Sequence, residues 1–197
     1  MKTPQTDYPS LPVHLFKNAK AWETWLQKHL NFPTGLWIRI AKKSAKLQSV
    51  SYQKALEVAL CYGWIDGQKR TYDEKSWLQK FTPRGPKSIW SKINRAKALE
   101  LIRGGRMKSA GLGAIESAKK NGRWDTAYDS HRTAVPPSDF QTALNKSAKA
   151  NAFFATLNSQ NRYAILFRIQ TAKKAETRQK RIQKFVRLLA KHEKLYP

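Results

Sequence analysis

Arg84, Lys87 and Ser88 sit together just ahead of an apolar period that predicts a helix from about Ile89 to Arg103. Serine is a residue type that caps such a helix, and a first helical turn presents unpaired N–H groups and partial positive charge. With two cations beside it, the arrangement predicts an anion site for a phosphate, a carboxylate or a nucleic-acid backbone. Ser91 and Asn94 could add hydrogen bonds there, and Trp90 a ring. The plain alternative is a capped helix with solvated cations.

A second focus is Gly63-Trp64-Ile65-Asp66-Gly67, which places a carboxylate between glycines in a chain poor in acids. Asp66 could act as a general base, pair with Arg70, Arg84 or Lys87, or bind a ligand amine, with Trp64 beside it. It could equally make a turn hydrogen bond. Near the C-terminal end Arg178 and Arg181 are three residues apart on one helical face. They could clasp Asp66 or Asp73, or belong to a solvated face. Cations also interleave with aromatic rings, as in Trp77, Phe81, Arg84, Lys87 and Trp90, and in Lys69, Arg70 and Tyr72. Bases stack on such rings beside neutralised phosphates.

Charge narrows the partners. Thirty-eight Lys and Arg against thirteen Asp and Glu give a formal net charge of +25 on 197 residues. Such a surface attracts anions and nucleic acid with strong salt dependence, and disfavours cationic peptides as direct partners. The four histidines, His14, His29, His131 and His192, lack metal-ligand spacing, so no metal is expected. No pattern calls for a cofactor. Cys61, the single cysteine, lies in an apolar helical period and reads as a buried structural residue. The glycines between Arg103 and Ala114 match neither phosphate-loop nor dinucleotide fingerprints and read as a break between helices. No stretch approaches the ~20 apolar residues of a membrane span, and no secretory leader pattern opens the chain. A soluble cytoplasmic protein is expected.

The elements that must position these residues follow from periodicity. Residues 1–12 read as an arm. Asn18 caps a helix running to about Leu30, with Trp22, Trp25, Leu26 and His29 on one face. Gly35–Lys43 alternates as a strand, Ser51 opens a second helix, and Gly63 ends it. Two short strands, WIDG and WLQKF, are expected around a hairpin loop QKRTYDEKS. Further helices are predicted at about Ser109–Lys120, Ser138–Asn145, Ala148–Leu157, Asn161–Gln170 and Ala175–Lys194. Eleven Lys and Arg against two Glu between Asn161 and Leu195 make the outer face of the last helix a basic stripe. The expected class is α+β: mostly helical, with a small antiparallel sheet in region 13–130 and an all-helical region 131–197.

Two motifs together resemble the YdeI/OmpD-associated family, also described as bacteriocin-protection proteins. They are ALCYGWIDG (Ala59–Gly67) with FTPRGPKSIWSKIN (Phe81–Asn94), and NRYAILFRIQTAKKAETRQKRI (Asn161–Ile182). The resemblance covers nearly all of the chain beyond the arm. It implies envelope stress, peptide resistance and porin association, with no settled activity. The expected function is therefore a stress-associated, non-enzymatic binder of an anionic ligand or nucleic acid. The alternatives are an enzyme using Asp66 on an anionic substrate, or a protein–protein interaction module.

Overall fold

The computed structural model describes residues 11–197, so the expected arm lies almost wholly outside the described residues. The chain divides into two compact units. One comprises Met1–Ser88 and Asn94–Trp124, the other Ile89–Ile93 and Asp125–Pro197.

In the first unit the elements run β1 (Val13–His14), α1 (Ala19–Lys28), β2 (Leu36–Ala41), α2 (Tyr52–Cys61), β3 (Trp64–Thr71), β4 (Ser76–Pro83), α3 (Lys92–Arg103) and α4 (Ser109–Lys120), with the first residues of α3 falling in the other unit. Asn18 caps α1 by accepting from the Ala21 N–H at 2.9 Å, and Ser51 accepts from Lys54 at the start of α2. Gly63 takes a φ of 73° to end α2, a conformation that suits glycine.

The sheet has the order β1-β2-β4-β3. β2, β4 and β3 are antiparallel as expected, and β1 adds a short parallel edge that makes the sheet mixed. The hairpin arms are longer than predicted, because Gln68–Thr71 belong to β3 and not to the loop. An edge strand has one neighbour and needs no apolar run, so its polar residues hide its strand character. One face of the sheet packs under α1 and α2. There Trp22 meets Trp64 edge-on at 5.8 Å and Phe81 at 6.0 Å, and its indole N–H donates to the Ala55 carbonyl at 3.1 Å.

α3 starts at Lys92, not at the expected Ile89. The expected break between helices falls at Gly104 and Gly105, between the end of α3 at Arg103 and the start of α4 at Ser109, and Gly111 and Gly113 lie inside α4. A Cβ on Gly111 would press into the Cys61 carbonyl, so close packing of α4 on the end of α2 explains that glycine.

The second unit is helical: α5 (Ser138–Asn145), α6 (Ala148–Thr156), α7 (Ser159–Gln170) and α8 (Ala175–Ala190). Phe140, Leu144, Phe154, Ile165, Leu166, Ile169, Ile182, Phe185 and Leu189 form its core. Asn161 is fully buried. Its Oδ1 accepts from the Leu195 and Tyr196 N–H groups at 3.0 Å each, and its Nδ2 donates to the Tyr196 carbonyl, which straps the chain after α8 to α7.

Candidate functional site

The motif Arg84–Ser88 forms a turn and not a helix start. The Ser88 N–H donates to the Gly85 carbonyl at 3.0 Å, and Ser88 Oγ accepts from the Gly85 N–H at 3.1 Å. Pro86 and Lys87 are the middle of that turn, where proline fits well. The three residues that a helix from Ile89 would need are used elsewhere. Ser91 bridges Tyr128, the Tyr128 N–H donates to the Trp90 carbonyl at 3.0 Å, and the Lys92 N–H donates to the Tyr128 carbonyl at 2.8 Å. Long-range backbone pairing therefore overrides the local capping signal, and Ser88 caps nothing. Arg84, Lys87, Ser88 and Asn94 belong to the first unit, Trp90 and Ser91 to the second. Trp90 is 2% exposed and Asn94 8%, so neither offers a surface for stacking or solvent-side hydrogen bonding.

Asp66 lies on β3, beyond the turn expected for it. The Tyr52 hydroxyl donates to its Oδ2 at 2.7 Å. Trp64 is a core residue in T-shaped contact with Trp22 and Trp25. Of the seven Trp, only Trp25 and Trp77 escape burial, and then partly. Lys69 rests 4.5 Å from the Trp77 ring centre, Arg70 lies 5.4 Å over Trp37, and Arg39 lies 5.0 Å over Tyr72. The interleaved cations and rings of the hairpin thus stack on one another.

The C-terminal arginines have partners within the second unit. Arg178 grips Asp139 with two hydrogen bonds, Nε to Oδ2 at 2.6 Å and Nη2 to Oδ1 at 2.9 Å, and donates to the Ile169 carbonyl at 3.0 Å. These bonds hold the Asp139 carboxyl below its ordinary value and raise the guanidinium. Arg181 donates to the Arg168 carbonyl. Asp73 takes Arg39 at 2.7 Å and Ser76 at 2.7 Å. Short-range geometry explains the outcome: Asp139 begins α5 and is carried to α8 by the helical core they share.

Sequence reasoning missed Glu57. It receives Lys54, Lys97 and Arg106 at 3.5, 3.6 and 3.0 Å. Burial alone would raise this carboxyl, but the Arg106 hydrogen bond and the surrounding charges hold it below its ordinary value. Burial pushes the Cys61 thiol up, in keeping with a structural residue.

Exposed cations occur in both units, and the outside of α8 arranges several of them in a row. Lys180, Lys184, Arg187 and Lys191 follow at i, i+4, i+7 and i+11, opposite the buried Ile182, Phe185 and Leu189. Glu176 pairs with Lys180 at the N-terminal end, in full solvent. Exposed pairs of this kind are weak and salt-screened.

Family comparison agrees with the resemblance at this end of the chain. Residues 133–192 match the family described as bacteriocin-protection, YdeI or OmpD-associated. Residues 14–114, which hold the Ala59–Gly67 and Phe81–Asn94 motifs, match a different model, described as a domain of unknown function (DUF8412). The chain belongs to the DUF8412 family and carries a YdeI or OmpD-associated segment after it. No curated protein and no solved structure matches it. Among the described residues no helix is long and apolar enough to cross a membrane, and no group of three His, Cys, Asp or Glu could hold a metal ion.

Proposed function

We propose that this protein is a non-enzymatic, cytoplasmic binder of a nucleic-acid backbone, held along the outer face of α8. The observation that carries this reading is the row Lys180, Lys184, Arg187 and Lys191, all exposed, of which Lys180 pairs with an acid, Glu176, while Asp139 is taken by Arg178. Four charges within about 16 Å of helix can neutralise successive phosphates and release their counterions. Of the Arg84–Ser88 motif only Lys87 is an exposed cation, and the helix-start chemistry expected of it is gone. The family's bacteriocin label then fits an indirect role, because a net charge of +25 repels cationic peptides. Labelled single-stranded DNA and RNA titrated over a salt series test it. Binding should weaken steeply with salt, and the Gln variant of Lys180, Lys184 and Lys191 should flatten the slope of log K against log salt by about 0.7 per removed charge. Binding that ignores salt, or a slope unchanged in that variant, ends the reading. Cell fractionation tests the location.

A second reading rests on the Tyr52–Asp66 hydrogen bond at 2.7 Å, which orients a half-buried carboxylate as a candidate general base. A structure with an anionic substrate seated on Asp66 would favour it. Asp66→Asn indistinguishable from the parent in metabolite-turnover screens would remove it.

A further inference from the structure

Beside the basic row, α5 and α8 leave a groove of about 590 Å³ within the second unit. Ala143 from α5 and Ile182 and Val186 from α8 supply the aliphatic part of its floor, and Thr142, Gln179 and Gln183 add neutral polar groups. Its two ends differ in charge. At one end stands Asp139, whose two oxygens are already taken by Arg178. At the other stand Lys146 and Arg187, both exposed. The ends are separated by about 10 Å, the rise of α5 from Asp139 to Lys146.

We propose that this groove binds a small amphiphile with an aliphatic chain and a single anionic head, of the medium-chain carboxylate type. The volume lies in the range of small-molecule sites. The aliphatic part of the floor removes a chain from water, a favourable step of roughly 25 cal/mol per Å². The charge asymmetry orients the ligand. Its head meets Lys146 and Arg187, where a charge-assisted hydrogen bond is available. The Asp139 carboxylate repels an anion from the opposite end, and its engagement by Arg178 leaves it little to offer a cationic head. No aromatic ring lines the groove, so it lacks the stacking surface a nucleobase would use. This inference shares only Arg187 with the nucleic-acid reading, and variants separate the two, since Lys180, Lys184 and Lys191 lie outside the groove lining and Lys146 lies outside the α8 row.

Octanoate, with octanol and octylamine as uncharged and cationic counterparts, tests it on the full chain by amide NMR titration. Octanoate should shift the amides of Lys146, Ile182, Gln183 and Arg187, and bind more tightly than octanol, with octylamine weakest. Lys146→Glu, an exposed change that should fold normally, should weaken octanoate about tenfold and leave octanol unaffected. Val186→Trp should block both by filling the floor. If Val186→Trp disturbs folding, the shift map of the parent chain decides by itself. Lys184→Gln with Lys191→Gln, which weakens nucleic acid, should leave octanoate unchanged. The proposal is overturned if octanoate fails to bind at millimolar concentration, if shifts fall elsewhere, or if octanol equals octanoate. It is also overturned if Lys146→Glu has no effect, or if adenosine monophosphate displaces octanoate from these amides.

Discussion

The two units spend their positive charge differently. In the first, several cations have partners across the fold: three surround Glu57, Arg39 holds Asp73, and Lys69 and Arg70 lie on tryptophan rings, while others such as Lys43, Lys87 and Lys120 are exposed. In the second, Arg178 and Arg181 are used in packing, while the outer row of α8 faces water. A sheet brings side chains from distant segments side by side, so a cation finds a ring or a carboxylate across the ladder. A helix over an aliphatic core turns its polar face outward and leaves each cation to solvent. Net charge alone therefore does not say which cations have partners and which face water.

The comparison can be broken or sharpened by experiment. The largest effects should come from the two cores. Trp22→Ala and Phe140→Ala each remove a fully buried ring and should cost about 3–5 kcal/mol, read by denaturant unfolding with hydrogen exchange. If the units are energetically separate, each variant should lower protection only among the amides of its own unit. Next comes the strap after α8. Asn161→Ala leaves buried backbone groups without partners and should cost about 1–3 kcal/mol, with faster exchange at Leu195 and Tyr196.

A pH series separates the units further. The Asp139 carboxyl is held below its ordinary value by Arg178, so it stabilises the fold above its unfolded pKa of about 4. That contribution is lost as pH falls through the lower folded value. Asp139→Asn should weaken the second unit near neutral pH and flatten its loss of stability below about pH 4. A thermal-melting series from neutral to acid pH checks this.

The smallest effect should be Lys69→Ala, which removes an exposed cation from the Trp77 ring and should cost about 0.5–1 kcal/mol. Its effect on nucleic-acid binding should be no larger than that of one charge in the α8 row. A larger loss would move the binding surface to the hairpin and away from α8.

Several elements were legible in the chain because local chemistry decides them. Asn18 and Ser51 cap where they stand, Gly63 ends α2, and Ser109–Lys120 is recovered to the residue. The amphipathic period of α8 also anticipated its basic outer face. The anion site at Ser88 was misread for a physical reason. Serine before an apolar run satisfies the local rule for a helix start, but Tyr128 claims the Trp90 and Lys92 backbone groups. Hydrogen bonds between residues so far apart leave no mark in a local pattern. The Tyr52–Asp66, Arg178–Asp139 and Glu57 clusters were missed for the same reason, since nothing in spacing says which carboxylate a cation will reach.

Sequence by itself determined the charge excess, the helical period, the caps and the family segment, because each depends on residues a few positions apart. Tertiary structure alone decided which cations are neutralised, which tryptophans are buried, and that a cation-ended, partly aliphatic groove lies between α5 and α8. Those depend on which surfaces meet, and burial with partner choice, not residue type, sets whether a charge is free to bind.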